Sequence, residues 1–413
     1  MGARSIEKFQ KIAFSKIKQN AAIQTLLDFS YNNNLAAAAW RLPGDTEKHL
    51  IVDLSGEFKR VKTDLEELDK GFIFAPFDNP QNQQSIFVRA DFHYSSAQRK
   101  LQLDPRYDGT ENPGLDLDPL FDGLSDPDGL PESATHYYIN RDYRASGTDQ
   151  KTYEGWVKQA LEAIHAEEFH KVVPCRTKFI QLGAKFDLVK NFLALCKAYP
   201  NAFVSVVSVP GLGTWMGATP EALISMDKHK IFRTASLAGT QLYDPAKPLP
   251  QVAWTQKEIE EQAMVSRFII NCFKKIRLRE FEEIGPRTSK AANLVHLKTD
   301  YSVDTKEVNF PQLGTVMLEL LHPTSAVCGM PRQSSLDFIK HTENFDRAFY
   351  TGYLGPVNMG EESHLFVNLR CMQLLAGEAV LYAGAGIIAN SEPEMEWQET
   401  EIKCDTLLNV IRP

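Results

Sequence analysis

Apolar side chains recur at helical spacing in the middle of the chain. Between residues 153 and 164 they fall at intervals that share one helix face: Tyr153, Trp156, Val157, Leu161 and Ile164. A second stretch, 187–199, is followed by Pro200, which cannot continue a helix. The pattern predicts two amphipathic helices, over 153–164 and 187–199.

Other segments are rich in β-branched and aromatic residues, which is typical of strands. The run 203–209 is mostly valine, and 365–375 and 379–388 are apolar runs joined through Gly377-Glu378. This short connection predicts a hairpin. Strands that follow one another through turns, with helices between the groups, favour an α+β fold with largely antiparallel sheets.

The first 150 residues are less regular. Up to about residue 95, helix-like segments alternate with short strand-like ones such as 72–77, and residues 101–135 are rich in Asp, Pro and Gly. Asp116-Leu-Asp118 opens like a calcium loop, but Leu120 stands at the third ligand position and no glycine follows it. We therefore interpret 101–135 as a long, acidic, solvated loop.

Composition and charge limit the possible partners. The 413 residues are 43% hydrophobic and 24% charged, with a net charge of −8, as in ordinary globular proteins. A negative chain offers no electrostatic surface for nucleic acid or an anionic membrane, and we expect neither as a partner. An anionic ligand must then be held by local cations or by a metal ion.

Cysteine usage and hydropathy indicate the compartment. The six cysteines form no CxxC pair, which argues against a zinc ribbon or a disulfide framework and favours a reducing compartment: Cys175, Cys196, Cys272, Cys328, Cys371 and Cys404. The N-terminal stretch is amphipathic and lacks the apolar region of a secretory signal. No apolar run is long enough to span a membrane. We expect a cytoplasmic protein.

A carboxylate heads the apolar stripe of one predicted helix. Thr255-Gln-Lys-Glu258 has the form of a capping box that opens this helix. Glu261 lies on the same face as Val265, Phe268 and Cys272. A carboxylate that faces a core is costly unless it is paired. Glu261 is therefore either a paired functional carboxylate or a solvated charge that favours the helix N-terminus.

The C-terminal helix repeats this arrangement. Glu396, Glu399 and Lys403 share one face, which Leu407 and Val410 continue as apolar positions. Two carboxylates on a half-buried face suit a hard divalent cation such as Mg²⁺, which takes few protein oxygens. The spacing fits equally a solvated charged face with a helical ion pair.

Glycines mark a place where a ligand could approach the backbone. Ala383-Gly-Ala-Gly386 follows a predicted strand, and its glycines leave room beside the backbone N–H groups. The segment is not GxGxxG and no Walker lysine follows it, so a dinucleotide or P-loop site is weakly supported.

Three single residues complete the candidates. Lys171 precedes a strand-like run, Glu221 follows Thr219-Pro220, and His322 lies in Leu-His-Pro. Thr219 as N-cap and Pro220 at the first helical position predict a short helix with Glu221 at its positive end. Each residue alone also fits a structural explanation: a surface lysine, a capping charge, or a histidine hydrogen-bonded beside a turn.

Five motifs follow one another in the sequence: Lys171-Val-Val-Pro-Cys-Arg176, Trp215-Met-Gly-Ala-Thr-Pro-Glu221, Leu237-Ala-Gly-Thr240, Leu320-Leu-His-Pro-Thr324 with Arg347, and Ala383-Gly-Ala-Gly386 with Glu394-Met-Glu-Trp-Gln-Glu-Thr400 and Lys403. In this order they resemble the chorismate-utilising enzymes, which include anthranilate synthase component I, aminodeoxychorismate synthase, salicylate synthase and isochorismate synthase. The resemblance runs from about Tyr153 to the C-terminus.

The resemblance implies a fold and a set of ligands. The fold is two large antiparallel sheets packed face to face, with helices outside and the site in the cleft between the sheets. Residues 1–150 are then the N-terminal part of the same fold, and 151–413 the chorismate-binding catalytic region. The resemblance also implies Mg²⁺ held by Glu261, Glu396 and Glu399. The residues implied to hold the substrate are Ala238, Gly239, Thr240, Tyr350, Arg370, Gly384, Gly386 and Lys403.

Two positions separate the branches of the family. Lys171 matches the lysine of the water-using members, where ammonia-using members typically carry glutamine. Ala238 stands where aminodeoxychorismate synthases carry a nucleophilic lysine, so the covalent route is absent. The resemblance therefore implies isochorismate formation. Lys171 is the general base for water attacking C2, Glu221 protonates the hydroxyl leaving C4, and His322 lines the ring.

Some positions depart from the family pattern. Gln262 replaces the usual histidine after Glu261, Ala348 replaces a glycine, and Pro174-Cys175 replaces a leucine and a small residue. None of these is a proposed catalytic or metal residue. A salicylate synthase, which also eliminates pyruvate, remains an alternative, as does a catalytically silent metal-dependent binding subunit. The expected partner is chorismate, for menaquinone or siderophore biosynthesis, and the expected state is a monomer or weak homodimer.

Overall fold

Eight α-helices lie in the part of the chain that the computed structural model describes, which is residues 19–125, 136–143, 146–245, 248–291 and 294–412. They are α1 Gln19–Asn32, α2 Asp118–Ser125, α3 Gln150–His165, α4 Leu188–Ala198, α5 Gln256–Lys275, α6 Leu313–Leu321, α7 Arg332–Thr342 and α8 Pro393–Leu408. Short 3₁₀ turns lie at Pro80–Asn82 and Leu249–Gln251. The N-terminal stretch examined for a signal sequence lies outside the described residues.

Twenty strands lie in the same ranges. They are β1 Ala37–Arg41, β2 His49–Val52, β3 Lys59–Val61, β4 Gly71–Ala75, β5 Ser85–Arg89, β6 Phe92–Ser95, β7 Lys100–Leu103, β8 Lys171–Val172, β9 Cys175–Gln181, β10 Phe203–Val209, β11 Gly213–Thr219, β12 Ala222–Met226, β13 Ile231–Leu242, β14 Glu282–Ala291, β15 Leu294–Asp304, β16 Gly329–Met330, β17 Tyr353–Val357, β18 Ser363–Val367, β19 Cys371–Leu374 and β20 Glu378–Gly384.

The strands form two large sheets and one ribbon. The first sheet has the order β7-β6-β2-β1-β10-β11-β19-β20-β9, and the second β14-β15-β13-β12-β18-β17-β4-β5-β3. Strands β8 and β16 pair separately. The pairings within all three are antiparallel. Strands from the first 105 residues enter both sheets.

Strand β10 of the first sheet is buried on both faces, so its sequence is largely apolar instead of alternating. In β10, Val204 and Val206 join a core with helices α1 and α4, whereas Phe203 and Val207 join the core between the sheets. Alternate side chains thus reach opposite faces of the strand. This double burial explains why the valine-rich composition of 203–209 identified the strand.

Aromatic side chains fill the space between the sheets. Phe203 of the first sheet stacks on Phe366 of the second with ring centroids 4.1 Å apart, and Phe74 of the second sheet lies edge-on to Trp215 of the first. Helices cover the outer faces, with α5 and α6 packed on the second sheet. The predicted α+β fold of two face-to-face antiparallel sheets is confirmed.

The predicted single strand over 365–375 is wrong. The structure divides it into β18 in the second sheet and β19 in the first. The break falls at Asn368–Arg370, where Arg370 has a φ of +48°, outside the strand conformation. The apolar composition is continuous because both strands are buried, so composition alone could not reveal the break. The hairpin joining β19 to β20 is confirmed.

The other predicted elements agree more closely. The helices predicted over 153–164 and 187–199 correspond to α3 and α4, and Asp187 caps α4. The interval 101–135 contains the end of β7 and the helix α2, so it is not all loop, and its last ten residues lie outside the described ranges. No helix in the described ranges is long and apolar enough to cross a membrane.

Candidate active site

Two chain crossings between the sheets lie side by side and bring Glu221 next to Arg370. Strand β11 leaves the first sheet at Thr219, and β12 begins in the second after Pro220-Glu221. The segment between β18 and β19 crosses in the opposite direction. The backbone N–H of Ala218 donates to the Arg370 carbonyl at 3.0 Å, and the N–H of Val367 donates to the Glu221 carbonyl at 2.9 Å.

The guanidinium of Arg370 has no hydrogen-bond acceptor among the described residues. The residue is buried, and its guanidinium makes no hydrogen bond or ion pair within the described residues. Burial lowers its pKa, while Tyr350, Glu399 and Glu221 oppose that shift. A buried guanidinium that donates to no protein acceptor suits recognition of a carboxylate.

Glu221 is poised to exchange a proton near neutral pH. Burial raises the pKa of its carboxyl to about 7, although Lys171, Arg370 and Lys403 all lower it. The predicted short helix at Thr219-Pro220 is wrong, because these residues connect two strands. The Thr219 hydroxyl donates to the Val367 carbonyl at 2.7 Å, which fixes the crossing instead.

Lys171 is fixed by contacts with β16 and α7 and lies against Glu261. It pairs with Met330 in the β8–β16 ribbon, and the Ser335 hydroxyl donates to its carbonyl at 2.9 Å. Its side chain is 1% exposed, and its Nζ donates to Oε1 of Glu261 at 2.8 Å. The explanation of Lys171 as a surface lysine is therefore excluded.

Glu261 is a paired carboxylate, as its place on the apolar stripe suggested. The capping box of Thr255 and Glu258 forms and starts α5. Burial raises the pKa of Glu261, but Lys171, Lys403 and the N–H of Gly239 bring it down to about 2. A Cβ at Gly386 would lie 2.9 Å from Oε1 of Glu261 and 3.0 Å from Cε of Lys171. A side chain at position 386 would therefore collide with the ion pair of Lys171 and Glu261, and glycine avoids this collision.

The face of α8 carries the second group of charges. Lys403 Nζ donates to Glu399 at 2.6 Å and to the Gly384 carbonyl at 2.7 Å. Glu396 is 1% exposed and accepts from Lys257 Nζ at 2.7 Å. Its pKa is raised by burial and by Glu399. The predicted charged face is therefore largely buried.

Most of these residues surround one cavity, of about 720 Å³ when the space at its mouth is counted, which suits a small-molecule ligand. Lys171 and Glu396 are not among the residues that line it. Residues from both sheets and from α5 and α8 line it. Those predicted from the sequence are Glu221, Ala238, Gly239, Glu261, Tyr350, Arg370, Gly384, Gly386, Glu399 and Lys403. The side chain of Thr240 lies outside the described part of the structure.

His322 does not face this cavity. It lies outside the residues that line the cavity. Its Nε2 is 3.2 Å from the carbonyl oxygen of Phe77, and its ring packs edge-on against Tyr353. Burial lowers its pKa to about 4. These contacts match the structural explanation, a buried histidine hydrogen-bonded beside a turn, and the assignment of His322 to the substrate ring stays a prediction.

A different histidine, His296, lines the cavity. Its Nδ1 lies 2.8 Å from the Gly239 carbonyl, and burial lowers its pKa to about 4, so the ring is neutral at pH 7. The sequence reasoning missed it, because Val295-His-Leu297 shows only the alternation of a strand. Alternation indicates which side chains share a face and gives no information on which face borders a cavity.

The three predicted magnesium ligands do not converge. In the described ranges, no group of three His, Cys, Asp or Glu side chains could hold a metal ion. Each glutamate instead pairs with a lysine: Glu261 with Lys171, Glu396 with Lys257, and Glu399 with Lys403. Their oxygens are of the type that Mg²⁺ prefers, and Oε2 of Glu396 is buried without a hydrogen bond. The carboxylate oxygens are suitable donors for a hard cation, but the lysines must first move away from them.

Comparison with known proteins defines the class. A family model described as chorismate binding enzyme matches residues 129–412, and the chain belongs to this family. Isochorismate synthase EntC of Escherichia coli (strain K12) is 28% identical over 277 residues, 66% of this chain and 70% of the relative. Isochorismate synthase DhbC of Bacillus subtilis (strain 168) is 29% identical over 276 residues, 64% of this chain and 68% of the relative.

A solved structure shows the same fold. MenF, the menaquinone-specific isochorismate synthase from Escherichia coli, superposes with a TM-score of 0.71 at 19% identity, covering 94% of this chain and 91% of that one. The family resemblance proposed from the five motifs is confirmed by the family match, which includes all of them.

The raised pKa of Glu221 gives a direct spectroscopic prediction. With a pKa of about 7, its carboxyl is mostly protonated at pH 6 and mostly ionised at pH 8. Infrared difference spectra between these pH values should contain a carboxylic acid C=O band that is absent from Glu221→Gln. Identical difference spectra for the two proteins would show that Glu221 does not titrate in this range.

Proposed function

We propose that this protein converts chorismate to isochorismate. The observation that carries the proposal is the position of Lys171 and Glu221 beside one cavity: Glu221 lines it, and Lys171 contacts the lining residue Glu261. A lysine and a carboxyl with a pKa of about 7 can there serve as base and acid. All residues that line the cavity lie between 173 and 403, which supports assigning catalysis to the region 151–413.

The proposed reaction moves a hydroxyl group around the ring. Lys171 accepts a proton from water as the water oxygen forms a bond to C2. Glu221 donates a proton to the C4 hydroxyl, which leaves as water while the ring double bonds shift. In the structure the Nζ of Lys171 is engaged with Oε1 of Glu261 at 2.8 Å. Lys171 can accept a proton from water only when this contact has opened.

The substrate is a dianion, and the cavity supplies cations to hold it. Arg370 is the cation with no protein acceptor among the described residues, so we assign a substrate carboxylate to it. Lys403, which donates to Glu399 and to the Gly384 carbonyl, is a second cation in the cavity lining, and Gly384 and Gly386 line it as well. Tyr350 and Tyr382 stack with ring centroids 5.3 Å apart and complete the wall.

Glu261, Glu396 and Glu399 are the residues we assign to Mg²⁺. When bound, the ion supplies positive charge for a substrate carboxylate. The orphan oxygen of Glu396 and the hard oxygen donors support this assignment. The product pathway, menaquinone or siderophore, is not distinguished by the relatives, and we propose only the shared reaction.

Removal of the metal tests this assignment. Product formation from chorismate is expected to stop in EDTA and to return on adding Mg²⁺, because the ion is proposed to balance charge that the lysines otherwise balance. Glu396→Ala should raise the Mg²⁺ concentration needed for half-maximal rate, whereas Glu401→Ala, on the same helix but paired with Arg176 and Lys178, should not. Full activity in metal-free buffer would remove Mg²⁺ from the proposal.

A further inference from the structure

Lys257 joins the first turn of α5 to the first turn of α8. Its Nζ donates to Oε1 of Glu396 at 2.7 Å, and Glu396 is the one hydrogen-bond partner of Nζ within the described residues. The two partners differ in exposure, since Lys257 is 35% exposed and Glu396 1%. In this ion pair the carboxylate of Glu396 is buried, whereas the side chain of Lys257 is partly exposed to solvent.

The ammonium of Lys257 contacts one of the three predicted metal ligands, Glu396, and is influenced by the other two. Burial lowers its pKa, but Glu396, Glu399 and Glu261 each raise it, and the pKa is raised overall. Lys257 and Glu261 are also four residues apart on α5, which places them on the same helix face. A positive charge therefore already lies against Glu396 and on the same side of α5 as Glu261.

Lys257 differs from the other two lysines that pair with these glutamates. Lys171 is 1% exposed, and Lys403 also donates to the Gly384 carbonyl. Lys257 gives up a single hydrogen bond when it leaves, and its exposed side chain has a path to solvent. Of the three lysines it can withdraw at the lowest energetic cost.

Glu396 retains capacity for a second partner. Its Oε2 is buried without a hydrogen bond of ordinary geometry, although the nearby Ser391 hydroxyl lowers the pKa of the carboxyl as a donor does. A buried carboxylate with an unused oxygen is costly in a protein interior. A divalent cation could bind both this oxygen and the one that Lys257 occupies.

From these contacts we infer that Lys257 is a placeholder cation, which neutralises Glu396 in the metal-free protein and withdraws to solvent when Mg²⁺ binds. The inference rests on the proposed assignment of Glu261, Glu396 and Glu399 to Mg²⁺. Lys257 then competes with the ion, so it weakens metal binding while stabilising the empty site. The apparent Kd for Mg²⁺ then equals the intrinsic Kd divided by the fraction of protein in which Lys257 has withdrawn.

Removing the competitor should strengthen metal binding. Lys257→Met keeps a side chain of similar length without its charge, so the Kd for Mg²⁺ should fall by roughly tenfold or more, as expected when a nearby positive charge is lost. The measurement is calorimetric titration of Mg²⁺ alone into the substrate-free protein at pH 8. The metal-free variant should also unfold at a lower temperature than the metal-free wild type, and Mg²⁺ should remove that difference.

Lys178→Met is the matched control. Lys178 is 30% exposed and pairs with Glu401 on the same helix α8 at 2.6 Å, but it pairs with none of the three glutamates assigned to the ion. Its loss removes the same charge and should leave the Kd for Mg²⁺ close to that of wild type. A change equal to that in Lys257→Met would show that only net charge matters, and would overturn the inference.

A second measurement needs no substitution. If Lys257 withdraws, its labelling by an amine-reactive reagent, followed by mass spectrometry, should increase in wild type when Mg²⁺ is added, while Lys178 labelling stays constant. Weaker or unchanged Mg²⁺ binding in Lys257→Met, or unchanged labelling of Lys257, would contradict the placeholder. Conversion of chorismate is assayed separately. The placeholder can therefore be contradicted while the proposed reaction is observed, and the proposed reaction can be contradicted while Lys257 is found to compete with Mg²⁺.

Discussion

Replacing Lys171 by alanine is expected to lower kcat by at least about 100-fold, within the ~10²–10⁴-fold range of general acid–base catalysis. The variant has no group to accept the proton from the attacking water. Its KM should change far less, because Arg370 and Lys403 are proposed to hold the substrate carboxylates. Steady-state kinetics with chorismate and saturating Mg²⁺ measure both constants.

The fold of this variant needs an independent check. Lys171 is buried against Glu261, so its removal leaves a buried carboxylate without its partner and lowers stability. Lys171→Met restores most of the volume and should be as inactive as the alanine variant. Lys178→Ala, which removes a lysine paired outside the cavity, should keep wild-type kcat. A Lys171→Met protein that is folded and near full activity would exclude Lys171 as the base.

Glu221→Gln is expected to produce a loss of similar size, at least about 100-fold in kcat. Glutamine has nearly the same shape but cannot donate the proton that the hydroxyl at C4 takes as it leaves. The double variant with Lys171→Ala should be scarcely slower than either single one, because the two residues act as a unit. Isochorismate-to-chorismate conversion should fail in the same variants, with the two roles exchanged.

Glu66 provides the matched control for Glu221. Burial raises its pKa as well, and it lies outside the cavity lining, hydrogen-bonded to Thr315. Glu66→Gln should therefore leave kcat unchanged. Near-normal turnover of Glu221→Gln in either direction would show that the leaving group obtains its proton elsewhere, and the acid–base assignment would be wrong.

Local chemistry predicted several parts of this site. The capping box at Thr255 fixed the start of α5, and with it the face on which Glu261 lies. The position of Glu261 at the head of an apolar stripe left two explanations open, a paired carboxylate or a solvated charge, and the structure shows a pair with Lys171. The helix start and the helix face follow from residues that are near one another in the sequence, whereas the identity of the partner does not.

The remaining features depend on contacts between distant segments. Glu221 and Arg370 are 149 positions apart in the chain, and they meet because two connections cross between the sheets side by side. Nothing local distinguishes Pro220-Glu221 from a helix start, so the predicted helix was wrong. His296 and Lys257 were missed for the same reason, since only the packing of the sheets and of α5 against α8 makes them part of the site.

Product analysis after incubation with chorismate and Mg²⁺ tests the central claim most directly. The protein should form isochorismate until the two isomers reach equilibrium, without pyruvate, and added ammonium should not enter the product. Salicylate with pyruvate would instead indicate a salicylate synthase, and an amino-substituted product would overturn the assignment of Lys171 to water. Unchanged chorismate, with the substrate bound and Mg²⁺ present, would contradict the account and identify a catalytically silent binding protein.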